Sequence, residues 1–241
     1  NRFAVYTEFL QESQKSQKYQ KGSSLQGEDV MIESIKQPLT VMIHPIEKTE
    51  EIRLRRLHSV PAASVIVFLF FMAEVVSYIY TGRVFNFNKP GSLNVLLIML
   101  RTLLPFVLFV IANWCATTLM EGKGDFVQIF VLSAYALLPF TLSNYLVTLL
   151  SNILSADEIT FLAVISGLGI AWTAFLLIAA LMTVHQYSLF KTILSFAATA
   201  VGMAIIAFLL ILFFSLIQEM INFANTIYFE IYFRFLGGFT G

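Results

Sequence analysis

The chain has 241 residues, of which 58% are hydrophobic, 15% aromatic and 12% charged, and its formal net charge is zero. Charged residues make up about a quarter of a typical soluble domain, so this deficit, with apolar runs near 20 residues, places the chain among membrane proteins. Neutrality excludes a general attraction to nucleic acid, and a single cysteine, Cys115, excludes an intrachain disulfide or a multi-cysteine metal site.

The chain opens on Asn1 rather than Met, and residues 1–30 are rich in Gln, Lys and Ser. Phe3, Tyr6, Phe9 and Leu10 have helical spacing, so this stretch reads as the end of a soluble N-terminal extension or linker whose natural start lies upstream. It has no resemblance to a cleavable signal peptide. Residues 31–59 change character. Met31, Ile32, Ile35, Leu39, Met42 and Ile43 form an apolar stripe broken by Pro38 and Pro45, which predicts an interfacial segment lying in the membrane plane. Arg53, Arg55 and Arg56 then precede the first long apolar run.

Five such runs follow: about Val60–Thr81, a second within Leu93–Leu119, Phe126–Leu150, Ile159–Val184 and Leu189–Ile217. At ~1.5 Å per residue, about 20 residues cross a ~30 Å hydrocarbon core. Water is absent there, so the backbone must bond to itself and only helices serve as such spans. The fold class is therefore all-α, a polytopic membrane protein with five transmembrane helices over residues 60–218. Lys48 and the Arg53–Arg56 cluster lie on the same side as Lys123 and Lys191, against Arg83, Lys89 and Arg234 opposite. That bias predicts a cytoplasmic N-terminus and an outside C-terminus in the cell membrane.

Two connections are tight. Glu121–Asp125 joins spans two and three, and His185–Ser188 joins spans four and five, so each pair should be antiparallel neighbours. Asp157 and Glu158 precede the fourth span, where the helix dipole favours acids. Residues 219–241 alternate aromatics with Asn, Glu and Arg. A single straight helix from Leu189 to Phe235 would reach about 70 Å, far beyond the core. The expectation is a bend or end near Glu219, with an aromatic tail at the interface.

Inside the spans a few residues stand out. Glu74 and Arg101 each lie about 10–12 Å below the same membrane face by helical rise. A lone charge there costs about 2.5–3.5 kcal/mol on insertion scales. They are expected to pair as a bundle-orienting ion pair; a transport path, or Arg101 snorkelling to the interface, are the other readings. Gly167, Gly169 and Ala171, and Ala198 and Gly202 with Ala200 and Ala204, put small residues on helix faces and predict close helix packing. Pro105 and Pro139 should kink spans two and three, with the Tyr135 hydroxyl placed to satisfy a group freed by Pro139. Cys115 reads as a small buried hydrophobe, and His185 as an end residue complementing the helix dipole.

No catalytic constellation is evident. Glu50-Glu51 with Arg55 mimics the opening motif of membrane-embedded prenyl-type proteases, but it precedes the first span and the later histidine motifs are missing. His44, His58 and His185 are never paired at i, i+4, so no zinc hydrolase motif occurs. Gly122-x-Gly124 is a turn without the preceding strand or following signature of a phosphate loop. Catalytic residues, metal ligands and cofactors are accordingly expected to be none.

Gly122-Lys123-Gly124, followed by Phe126–Phe130 and by Tyr135–Pro139, resembles the Yip domain family, the Ypt/Rab-GTPase-interacting membrane proteins, and most of all its bacterial branch. His44-Pro45 with Glu51-Ile52, Asn113-Trp114, and His185–Ser188 with Lys191 add to the resemblance, which covers residues 36–235. It implies a five-helix integral protein without catalysis, in bacteria an inner-membrane one. The GTPase role of eukaryotic relatives does not carry over. The function expected is that of a non-catalytic scaffold or accessory subunit binding lipid and other integral membrane proteins. Its most specific form is a component of a solute transporter complex of carbohydrate type, touching the permease subunits. The alternatives are a transporter or channel in its own right, or a membrane-shaping or trafficking factor.

Overall fold

The computed structural model describes residues 36–55, 59–86, 88 and 93–235, all of them helix or short connection. Expectations for residues 1–35, for parts of the first loop and for the last residues of the chain lie outside these. After a helical stretch over 36–43 come α1 (Pro45–Arg55), α2 (Val60–Tyr80), α3 (Val95–Leu119), α4 (Phe126–Ala136), α5 (Leu138–Leu150), α6 (Ile159–His185) and α7 (Leu189–Phe235). A 3-10 turn, Ala156–Glu158, leads into α6. Five segments are long and apolar enough to cross a membrane, with α4 and α5 together forming the third.

The local chemistry sets these boundaries. Ser59 caps α2, its side chain accepting from the Ala62 N–H, and Pro61 follows in the first turn. Asn94 caps α3 through the Leu97 N–H at 3.0 Å. Asp125 and Gln128 form a capping box on α4. Ser155 and Glu158 form another ahead of α6, which places the acid where the sequence put it.

The third span breaks at Leu137. Pro139 has no N–H to give the Tyr135 carbonyl, and its ring crowds that turn. The chain tightens there, with Leu137 N–H donating to the Ala134 carbonyl at 3.1 Å. The Phe140 N–H finds the Thr173 hydroxyl on α6 at 3.1 Å. Tyr135 does not serve the bend as expected. Its hydroxyl reaches away, donating to Gln37 Oε1 at 3.4 Å and the Ser59 carbonyl at 3.5 Å. Pro105, in contrast, leaves α3 unbroken from Val95 to Leu119.

α4 is the centre of the bundle. Ile129, Val131, Leu132, Ala134, Tyr135 and Ala136 are all buried, against Ala63 and Ile66 of α2, Phe106 and Val110 of α3, and Ala180 and Val184 of α6. The segment ahead of the spans packs on this core. Val41 and Ile52 are buried, and the Trp172 indole on α6 donates to the Met42 carbonyl at 3.2 Å. Leu39, Ile43 and Ile46 stay exposed, so the apolar stripe is divided between bundle and lipid.

Spans four and five meet at their turn, but α7 lies chiefly along α3 and only lightly along α6. The seam is a row of small residues. Thr192, Ser195 and Thr199 are buried, and Gly202 faces Ala112 at ordinary contact distance. Asn113, fully buried on α3, donates to the Thr199 hydroxyl at 3.0 Å. Ala198, expected to pack, is only half-buried, because the register one residue on faces α3. Cys115 is exposed rather than buried, since it turns away from the same seam.

The two glycines of α6 part company. Gly169 lies against α5, where a Cβ would overlap the Ser143 side chain. Gly167 faces open space, so among the described residues it packs against nothing. Gly169→Ala is expected to cost about 1–3 kcal/mol by overpacking. Gly167→Ala should stabilise by up to about 1 kcal/mol through helix propensity. Thermal unfolding of both variants in one detergent separates them.

α7 contradicts the expected break at Glu219. It runs 47 residues without interruption from Leu189 to Phe235. The segment has no proline, and it is stitched by contacts four residues apart: the Glu230–Arg234 ion pair at 3.2 Å, the Thr226 hydroxyl on the Asn222 carbonyl at 2.9 Å, and Tyr228 stacked on Tyr232. Nothing local disfavours helix there. From Phe208 to Phe235 every residue except Ile217 is exposed, so the distal half rests on no part of the bundle.

Candidate functional site

Two groups of residues carry the site-level chemistry, at opposite ends of the bundle. The first is polar and intramembrane. Glu74 on α2 and Arg101 on α3 each lie about 9 Å inside their helix ends, Tyr80 and Val95, by helical rise. The structure brings them together, with Arg101 Nη2 donating to Glu74 Oε2 at 3.2 Å. The other carboxylate oxygen accepts from the Asn144 amide on α5 at 2.8 Å. Glu74 is thus held from both sides and its side chain is 18% exposed, whereas that of Arg101 is 70% exposed. Nothing in the sequence singles out Asn144 as the third partner. Its distance from Glu74 along the chain hid the contact.

Inward from this cluster lies a cleft of about 400 Å³. Its walls are aromatic: Phe70, Phe106, Phe109 and Phe140, with Phe70 edge-on to Phe140 at 5.7 Å between centroids. Pro105 lines it too, and having no N–H it leaves the Arg101 carbonyl without its helical donor. Ser133 is 1% exposed and lines the same cleft, and its hydroxyl has no hydrogen-bond partner among the described residues. Buried hydroxyls are ordinarily partnered.

The second group joins the two tight turns. Lys123 Nζ donates to Gln186 Oε1 at 2.8 Å, and the Gly124 N–H donates to His185 Nδ1 at 3.3 Å. The Tyr187 hydroxyl donates to the Met120 carbonyl at 3.1 Å and the Thr117 carbonyl at 3.3 Å. Lys191 Nζ sits 4.4 Å over the Tyr187 ring. Burial, and then the charge of Glu121, push the Tyr187 phenol above its ordinary value, keeping it a donor. Both glycines are needed by space: a Cβ on Gly122 would meet His185 Nδ1 at 2.6 Å and the Tyr187 hydroxyl at 2.8 Å, and one on Gly124 would overlap Val184. Glu121 and Gln186 adopt left-handed backbone, at φ 61° and 56°.

His185 therefore departs from the dipole role expected of it. It is 2% exposed, stacked on Tyr187, and presents Nδ1 as an acceptor to the neighbouring turn. As an acceptor that nitrogen carries no proton. The family-motif residues Gly122, Lys123 and Gly124 belong to this clasp. Tyr135 and Pro139 do not; Pro139 shapes the bend of the third span, and Tyr135 makes its contact with the N-terminal segment.

Five apolar helices long enough to cross a membrane, the third of them beginning at the buried centre of the bundle, define an integral membrane helical-bundle protein. The family model of the Yip1 domain matches residues 39–237, and the chain belongs to that family. No curated protein and no solved structure matches the chain.

Proposed function

We propose that the protein is a non-catalytic integral membrane scaffold that binds other membrane proteins through the distal part of α7. The carrying observation is the 47-residue length of that helix and the exposure of every described residue but Ile217 from Phe208 onward. At ~1.5 Å per residue α7 is about 70 Å long, and a hydrocarbon core takes up about 30 Å of it. Some of its distal turns therefore lie past the lipid. There Phe223, Tyr228, Phe229, Tyr232, Phe233 and Phe235 are all exposed. An apolar surface of that size outside lipid marks an interaction site, and aromatic residues are the usual anchors of protein interfaces.

The loop-charge bias supports a cell-membrane protein with its N-terminus cytoplasmic and the arm outside. The most specific version, an accessory component of a solute transporter of carbohydrate type, rests on the family resemblance alone. Purification of the full chain in gentle detergent, followed by mass spectrometry, tests the reading. A stoichiometric integral membrane partner is expected, and a lone monodisperse species would contradict it.

A further inference from the structure

The Glu74–Arg101 pair sits between two chambers. Inward is the aromatic cleft already described. Toward the nearer membrane face is a second, mixed cleft of about 480 Å³, where Ser77, Thr81, Asn86, Ser151 and Ser166 alternate with apolar residues such as Phe85 and Leu162, and Glu74 and Arg101 line both. The order along each helix fixes the direction. On α2 it runs Phe70, Glu74, Ser77, Thr81 toward the helix end, and on α3 it runs Arg101, Phe106, Phe109 away from it. The outer chamber thus gathers more polar side chains around the pair than the inner one, as the headgroup region does along a lipid molecule in one leaflet.

From this geometry we infer that the two chambers form one seat for a zwitterionic phospholipid of the ethanolamine type. Chambers of this size lie in the range used for small ligands, and an apolar pocket with a few convergent polar groups is their usual form. The charges select a zwitterionic headgroup, and a carboxylate acceptor favours a primary ammonium, which can donate to it, over a quaternary one. Among the described residues Arg101 makes one hydrogen bond, so its remaining guanidinium donors are free for a phosphate, and guanidinium forks suit phosphate. Glu74 stands beside it at 3.2 Å and offers its carboxylate to an ammonium. A net anionic headgroup would meet Glu74 as a like charge, and a net cationic one would meet Arg101. The outer hydroxyls and amides are held by the chain itself, Thr81 on the Ser77 carbonyl and Asn86 on the Tyr78 carbonyl, so the pair alone reads the headgroup. One acyl chain enters the aromatic chamber.

This seat is independent of the α7 arm. The test is reconstitution of the full chain in nanodiscs holding equal parts phosphatidylethanolamine, phosphatidylcholine and phosphatidylglycerol, followed by detergent extraction and mass spectrometry of retained lipid. About one phosphatidylethanolamine per chain is expected, with phosphatidylglycerol excluded. Arg101→Gln should lower retention about tenfold, and Arg101→Lys should preserve part of it. Because Arg101→Gln can also disturb the bundle, a photoactivatable phosphatidylethanolamine is cross-linked to the unaltered protein as well. Adducts are expected at Phe106, Phe109 and Phe140. Retained lipid at bulk composition, equal retention of phosphatidylglycerol, or adducts spread evenly over the lipid-facing helices would each overturn the assignment. A partner helix recovered in cross-links from those three residues would do the same.

Discussion

Glu74→Ala is expected to destabilise the bundle by about 2–3 kcal/mol, the scale on which membrane insertion penalises a lone charged side chain. The variant strips Arg101 of the carboxylate oxygen it holds at 3.2 Å and strips the Asn144 amide of its acceptor at 2.8 Å. A guanidinium cannot shed its charge. The double variant Glu74→Ala with Arg101→Leu should recover to within about 1 kcal/mol of the parent, because removing both members of an ion pair is far cheaper than removing one. Equilibrium unfolding in mixed micelles, run as a double-mutant cycle, gives the coupling directly. If the single variant matches the parent, Arg101 reaches the interface by itself and the contact contributes nothing. The exposure of the Arg101 side chain, 70%, makes that outcome a fair test of the structure.

Truncation after Gln218 should have the opposite profile. Bundle stability is expected to change by less than about 0.5 kcal/mol, the range of substitutions that touch nothing, because no described residue from Phe208 onward is buried. Recovery of the membrane partner should instead fall to background. A milder variant, Tyr228→Ala with Tyr232→Ala, removes the stacked pair four residues apart while keeping the helix. It should weaken recovery without shortening the arm. Loss of thermal stability on truncation would place the arm in the fold. Unchanged partner recovery would move the interface elsewhere.

Both expectations concern features that differ in how far they can be read from sequence. The charged pair was legible because two ionisable residues in apolar runs stood at equal depth from the same face. The third partner was not, because Asn144 reaches Glu74 only when the third span bends at Pro139 and swings α5 against α2. The arm was misread because length was judged against membrane thickness. The contacts at Glu230–Arg234 and Tyr228–Tyr232, which keep the helix going, were present in the sequence at i, i+4 spacing. Likewise the seam of Thr192, Ser195, Thr199 and Gly202 has helical periodicity, but the choice between it and the face of Ala198 depends on where α3 lies.

Apolar run lengths, turn residues and caps determined by themselves that this is a five-span helical membrane protein, and where most spans begin and end. Those signals are local: a run of about 20 apolar residues must be helical in lipid whatever surrounds it. Only the tertiary structure decided which helices touch. It set α7 along α3, joined Gly124 to His185 across two turns, drew Val41 and Ile52 into the core, and placed a mixed chamber and an aromatic one on either side of Glu74 and Arg101. The physical reason is that lipid supplies no hydrophobic drive between helices, so their pairing rests on close packing of small residues and a few buried hydrogen bonds. Those depend on registers between distant segments, which no local pattern encodes.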